Sequence, residues 1–324
     1  MVTAITSDTK IWNESEVIIG IISELMTSDT NQIIIDLNSE GPCCDSSGVD
    51  KLLDSISEKF NVDKKRFEIV TANQLPSSKY KEKRSVNCIL HGALCMCKSY
   101  TPSDSNLKNI FGIFIGRSNW QRLGLASYIW KNYNDISDIT FHYDYMSDFH
   151  VSNVGIEDLI HHHYQDFDTV YEFLKVLPLT RDEVVYPILW EDNAYDLGNS
   201  YREIFCEIIC ETYFSGKTFF VTEKTYRCIL NKRPFMIQGP KYFLKNLRKL
   251  GFRTFGKWWC EGDDLDESDA RYYTLKQGID WVASQSDDTI AQWYEEMQPI
   301  LNHNFEVLKN LTNNKIINTE FYYE

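Results

Sequence analysis

Residues Phe219–Pro240 read FFVTEKTYRCILNKRPFMIQGP. The stretch starts apolar (Phe219, Phe220, Val221) and turns polar at Thr222-Glu223-Lys224. Thr222 is a good N-cap, because a threonine oxygen can accept from the free N–H groups of a first helical turn. A helical run carrying Tyr226, Ile229 and Leu230 follows, and Arg233-Pro234 stops it, since proline cannot continue a helix. Phe235-Met236-Ile237 reads as a short buried strand that Gly239-Pro240 ends.

The polar turn in this stretch suggests chemistry. A helix start carries free N–H groups and partial positive charge, so it attracts anions, and Lys224 adds a full positive charge. The Glu223 carboxylate can accept two hydrogen bonds, which suits a pair of sugar hydroxyls. One turn thus offers a grip for a diphosphate and a grip for a ribose. The alternative is an ordinary capped helix with a solvated Glu-Lys pair.

Around this stretch the pattern continues. Glu203–Ile209 (EIFCEII) is strand-like and delivers Cys210-Glu211-Thr212. Lys241–Leu250 is amphipathic, with Phe243, Leu244, Leu247 and Leu250 on one face, Gly251 as its C-terminal cap, and Phe252–Phe255 as a resumed strand. Strand, helix, strand, helix, strand implies a parallel sheet covered by helices. The acidic residues Asp263, Asp264, Asp266, Glu267 and Asp269 lack regular ligand spacing and read as a solvated loop rather than a metal site. A helical pattern over Asp287–Leu311 runs through Pro299.

Upstream, Ile110–Ile115 (IFGIFI) and Ile139–Tyr143 are strand candidates. Between them Gly116-Arg117-Ser118-Asn119 is a turn, and a helix follows over Trp120–Trp130, buried through Leu123, Ala126, Ile129 and Trp130. Arg117 and Arg122 flank its start, where a phosphate would be welcome. Asp144–Val185 reads as acidic, aromatic and irregular, and Tyr186–Trp190 as the start of a new ordered region. The consecutive His161-His162-His163 cannot all face one point in regular structure, which argues against a three-histidine metal site.

Further upstream, Val17–Ile22 (VIIGII), Ile33–Leu37 (IIIDL) and Phe67–Val70 have strand length. Val49–Phe60 is helical, with Leu52, Leu53, Ile56 and Phe60 on one face. This order suggests a βαβ unit, whose ligands sit beyond the carboxyl ends of strands. Asp36, Glu40 and Asp45 lie at or just after such an end, and Glu40 is the first choice as general base. Gln74–Arg84 reads as a polar surface loop. Cys88, His91, Cys95 and Cys97 are zinc-type residues in an apolar segment with an irregular spacing, and buried free thiols are the simpler account. Ser99–Lys108 has linker composition. The expected division is therefore 1–105, an acceptor-side α/β domain; 106–285, a nucleotide-sugar-binding α/β domain; and 286–324, a C-terminal helix and tail.

Composition narrows the classes. The chain has 324 residues, 43% apolar and 25% charged, ordinary for globular domains and long enough for two. A net charge of -14 argues against large contacts with duplex nucleic acid. No run of eighteen apolar residues offers a transmembrane helix, and the N-terminal residues lack a signal peptide's pattern. A cytoplasmic location is expected, with the nine cysteines as reduced thiols.

Cys210-Glu211 … Phe219-Phe220-Val221-Thr222-Glu223-Lys224 … Arg233-Pro234-Phe235 … Gly239-Pro240 resembles the donor-binding signature of the alpha-fucosyltransferase family. Gly116-Arg117-Ser118-Asn119-Trp120-Gln121-Arg122-Leu123 looks like that family's first donor-domain turn. The ensemble is also similar to glycosyltransferase-like proteins of phages, large viruses and marine bacteria. The resemblance covers about the C-terminal two-thirds, with its strongest part over Glu211–Gly239. It implies two Rossmann-like α/β domains facing across a cleft, the GT-B arrangement. It also implies metal-independent sugar transfer from a nucleotide-diphosphate sugar, with GDP-fucose as the first donor to consider, to a glycan or related hydroxyl. No cofactor is implied. By that likeness Lys224 and Arg122 hold the diphosphate, Glu223 the ribose, and Glu211 sits at the donor sugar or nucleotide. Arg117, Asn119 and Thr222 belong to the same donor-binding set. The family's Asn after the first Glu is Thr212 here. Two rivals are sugar transfer to modified bases of phage-like DNA, and a binding protein that keeps a degenerate transferase fold.

Overall fold

A computed structural model of the chain describes residues 14–27, 32–37, 41–84, 106–116, 120–141, 166–179, 198–214, 216–265 and 268–314. The fold is mixed α/β, with two all-parallel sheets among these residues.

The first sheet has the order β1-β2-β3, with β1 at Ile33–Leu37, β2 at Phe67–Thr71 and β3 at Lys81–Arg84. Helix α1 (Glu14–Thr27) precedes it, and α2 (Val49–Phe60) makes the connection from β1 to β2. Ile33, Ile35 and Leu37 alternate along β1 and are buried with Phe67, Ile69 and the α2 residues Val49, Leu53 and Ile56. Three expectations are corrected here. Val17–Ile22 is helix, not strand. Ile18, Ile21 and Leu25, spaced by three and four, pack on this core, while Ile19 is 67% exposed. A run made only of apolar residues carries no periodicity, so it does not separate the two forms. On α2 the buried face is carried by Val49 rather than Phe60, which is exposed. Gln74–Arg84 is not a surface loop, since Leu75, Ser77 and Tyr80 are buried and Lys81–Arg84 pairs with β2 from Glu68↔Lys81 to Thr71↔Arg84. The β3 sequence KEKR has no apolar residue to signal a strand, and charge of this kind suits the edge of a sheet.

The second sheet has the order β5-β4-β6-β7, with β4 at Asn109–Ile115, β5 at Ser137–Phe141, β6 at Ile204–Cys210 and β7 at Phe235–Gln238. All seven residues of β6 are buried, which is what a central strand of a parallel sheet needs on both faces. Helix α3 (Trp120–Tyr133) connects β4 to β5 and buries Leu123, Ala126 and Ile129. Helix α4 (Phe167–Val176) corrects the irregular reading of that region. Val170 and Phe173 are buried, and Phe173 meets Trp130 at 5.6 Å and Phe141 at 5.5 Å. The acidic composition masked an apolar stripe at helical spacing.

After α5 (Gly198–Glu203) and β6 come α6 (Glu223–Leu230), β7 and α7 (Phe243–Lys249). Gly251 has φ +98°, the left-handed geometry expected of the residue after a helix. Phe252–Phe255 is not a strand. The Arg253 N–H and carbonyl bond the Asn304 side chain, and the Phe255 N–H bonds Glu261. Side chains thus satisfy the groups that a ladder would have used. Helices α8 (Ser268–Ala283) and α9 (Asp287–Asn314) complete the order. Ile290, Tyr294, Met297, Leu301 and Leu308 of α9 belong to the same hydrophobic cluster as β4 and β6.

Glu40, Arg117, Asn119, the Cys88–Cys97 segment, His161-His162-His163, Tyr186–Trp190, most of the Ser99–Lys108 linker, Asp266 and Glu267 lie outside the described residues.

Candidate functional site

The wiring of the second sheet marks one place for a ligand. From β4 the chain goes outward to β5, then returns to the other side of β4 to lay down β6 and β7. The direction of winding therefore reverses between β4 and β6. In open parallel sheets the crevice beyond the carboxyl ends of two such strands is the usual binding position.

Five residues expected from the sequence, Arg122, Glu211, Thr222, Glu223 and Lys224, come together there. Arg122, in the first turn of α3, is 8% exposed and donates from Nη2 to the Glu211 carbonyl at 3.1 Å, bridging the two sides of the reversal. Glu211 follows the last residue of β6. Its Oε1 accepts from the Thr225 hydroxyl at 2.5 Å and from the Thr222 N–H at 3.4 Å. Thr222 is extended, with φ −93° and ψ 174°, and its hydroxyl accepts from the Lys224 N–H at 3.3 Å, the cap expected for it. The Lys224 ammonium meets Glu223 Oε1 at 2.8 Å and Thr222 Oγ1 at 3.5 Å.

These groups differ in burial, and burial sets their charge. Glu211 is 4% exposed, and no hydrogen bond to its Oε2 is made among the described residues. Burial raises its pKa, partly opposed by the Lys224 charge and by the bonds from Thr222 and Thr225. The structure thus puts Glu211 beneath the turn, holding the start of α6. Glu223 and Lys224 are 20% and 18% exposed at the side chain, the open part of the cluster. Burial pushes Glu223 upward, but the Lys224 charge and hydrogen bond outweigh it and hold the carboxyl at about 2. Arg122 and Lys224 also converge on Cys210. Burial raises that thiol to about 12, against the opposing pull of both cations.

The turn is carried by a strap, Gly216–Val221, that rests on the loops at the carboxyl ends of the first sheet. The Thr218 hydroxyl donates to the Gly41 carbonyl at 2.6 Å, and the Gln74 N–H donates to the Phe219 carbonyl at 3.1 Å. The Asn73 carboxamide donates to the Lys217 carbonyl at 2.8 Å and accepts from the Phe219 N–H at 2.9 Å. A Cβ on Gly41 would lie 2.7 Å from the Phe220 Cβ, so only glycine allows this approach. Phe219 is fully buried and meets Phe243 edge-on at 5.4 Å.

Sequence reading missed Asn73 and the buried group beneath α6. There the Arg227 Nε donates to the Tyr201 hydroxyl at 2.7 Å, and Nη2 reaches Glu207 Oε1 at 3.2 Å. The Tyr201 hydroxyl donates to Glu207 Oε2 at 2.5 Å. The one available signal was a glutamate inside the apolar run of β6, which needs a partner when buried. Nothing local marks Asn73 as a link to the other sheet, because beyond its short turn to the Leu75 N–H its partners lie 31, 144 and 146 residues away.

Among the described residues no group of three or more His, Cys, Asp or Glu is arranged to hold a metal ion. No helix among them is long and apolar enough to cross a membrane.

Fold and wiring define the class as an α/β protein with parallel sheets, whose cationic side chains gather at a winding reversal. Comparison of the chain with protein-family models, with curated proteins and with solved structures returns no match.

Proposed function

We infer that the chain is a glycosyltransferase that moves a sugar from a nucleotide-diphosphate donor to an acceptor hydroxyl. The observation that carries this reading is the meeting of Arg122, Glu211, Thr222 and Lys224 at the winding reversal of a parallel sheet. A helix N-terminus and two cations there suit a diphosphate. In this reading the two sheets are the halves of a GT-B transferase, and they meet where the strap after β6 rests on the loops after β1 and β2.

The chemistry is that of a departing diphosphate. Cleaving the sugar–phosphate bond leaves extra negative charge on the nucleotide. Lys224, Arg122 and the first N–H groups of α6 stabilise that charge as it develops. Lys224 then exchanges the Glu223 carboxylate for a phosphate oxygen, which frees Glu223 for the ribose hydroxyls. Glu40, two residues before Pro42 in the sequence and outside the described residues, is the proposed base for the acceptor hydroxyl. Removal of bulk water from the cleft limits hydrolysis of the donor. GDP-fucose is the first donor to test, and glycans or small hydroxylated molecules are the acceptors.

A second reading is favoured by the Glu223–Lys224 contact at 2.8 Å, in which each residue already has a partner. This is a binding protein that keeps a transferase fold without turnover.

The test is a thermal-shift screen with GDP, UDP, CDP, ADP and dTDP on wild type and Lys224→Ala. A diphosphate present at ~100 times its dissociation constant stabilises by about 2.7 kcal/mol. One nucleotide that shifts wild type well beyond Lys224→Ala supports the donor site and names its base. Hydrolysis or transfer of the matching nucleotide sugar then separates transferase from binding protein. A flat response to all five sinks both readings.

A further inference from the structure

We propose that Asn73, a residue of the first-sheet half, is a positioning residue for the Thr222-Glu223-Lys224 turn of the other half. It acts through the strap Gly216–Val221. The proposal deepens the donor-site reading, and only its ligand arm rests on that reading.

Asn73 is fully buried. Its Nδ2 donates to the Lys217 carbonyl at 2.8 Å and to the Pro42 carbonyl at 3.3 Å. Its Oδ1 accepts from the Phe219 N–H at 2.9 Å and the Leu75 N–H at 3.0 Å. A carboxamide offers two donors and two acceptor lone pairs, and all are used. The orientation is unique, because a flipped amide would set NH2 against two N–H groups and oxygen against two carbonyls. One side chain therefore ties together the loop after β1, the loop after β2 and the strap after β6.

Two further contacts leave the strap no slack. Gly41 lies against Phe220 so closely that a Cβ there would also come within 3.0 Å of the Asn73 N. Thr218 adds its bond to the Gly41 carbonyl at 2.6 Å. Downstream, Phe219 and Val221 are buried, and the Thr222 N–H is held by Glu211. From Phe219 to Thr222 the chain spans at most about 10 Å, so a shift at the Asn73 contact reaches the helix start. A ligand that orders the turn must also tighten the first-sheet loops, and by reciprocity those loops tune its affinity.

The test is amide hydrogen exchange, read by mass spectrometry, together with GDP binding, on wild type, Asn73→Ala, Asn73→Asp and Thr218→Val. In Asn73→Ala, amides 217–222 should exchange at least ~10-fold faster while those of β4 and β6 keep wild-type protection. GDP affinity should fall about 10-fold, which a mere loss of global stability would not produce in a protein still folded. Asn73→Asp keeps both acceptor bonds but sets a buried carboxylate oxygen against the Lys217 and Pro42 carbonyls, so it should loosen the strap at least as much as Asn73→Ala. If Asn73→Ala does not fold, Thr218→Val gives the same test, with smaller loosening confined to the same segment. Unchanged exchange of the strap, or faster exchange spread equally over β6, overturns the proposal. If wild type binds no nucleoside diphosphate, the donor-site reading falls alone, and the exchange arm still decides the role of Asn73.

Discussion

Two ion pairs sit one turn apart on α6, and they are built in opposite ways. Arg227 reaches away from its helix to Glu207 in the middle of β6, with Tyr201 bonded to both. The side chains are 9% and 1% exposed. Lys224 instead pairs with its own chain neighbour, and both partners keep about a fifth of their surface open, at 18% and 20%. A pair that joins two elements in the dry interior holds the fold. The outer pair is made between adjacent residues at a helix start and bridges no second element, so under the proposed function a phosphate replaces the carboxylate without disturbing the fold. The chemistry of Lys224 is separable from stability, and that of Arg227 is not.

The largest effect should come from breaking the inner pair. Arg227→Ala leaves Glu207 buried without its charge partner and is expected to destabilise by about 3–5 kcal/mol. The triple variant Tyr201→Phe/Glu207→Leu/Arg227→Met, which leaves no member of the group unpaired, should recover most of that loss. Urea denaturation checks both, and a single variant as stable as wild type would remove the distinction between the pairs. Lys224→Ala should change stability by less than about 1 kcal/mol. Its diphosphate affinity should nevertheless fall about 10- to 100-fold, the size of a charged hydrogen bond. Calorimetric titration and urea melts on one sample read both quantities.

Smaller effects separate the two carboxylates by the sign of their pH dependence. Burial raises Glu211 above the ordinary value of 4.5, so the folded state keeps its proton longer than the unfolded chain. Stability from this residue is full below that value and declines as pH rises through the folded pKa. Glu211→Gln removes the decline, so its advantage over wild type should grow steadily with pH. Parallel stability curves from pH 4 to 8 would refute the assignment. Glu223 runs the other way. Its folded value is about 2, so its stabilisation is present above 4.5 and is lost as pH falls toward 2. With a fifth of the side chain in solvent, Glu223→Gln should cost on the order of 1 kcal/mol at pH 6. That cost should vanish near pH 2, which thermal melts across pH can follow.

The legible parts of the fold were those with local period and punctuation. The run from Ile204 to Lys249 shows a buried strand, a threonine cap, a proline stop and an amphipathic helix closed by Gly251, and each appears in its place. Failures came where local signal was absent or misleading. VIIGII has no polar residue to show its period, and KEKR has no apolar one. Phe252–Phe255 has the composition of a strand, but Asn304 and Glu261 took its backbone bonds.

Sequence alone determined the α/β class, the cap at Thr222 and the residue types at the turn. Those depend on neighbours within a few positions, whose period and backbone preferences are written locally. Only the tertiary structure decided that Arg122 bridges to Glu211, that Glu211 is buried beneath the turn, and that Asn73 holds the strap from the other sheet. Those contacts span 89 and 146 residues. The order in which parallel strands are laid down sets them, and no local pattern encodes that order.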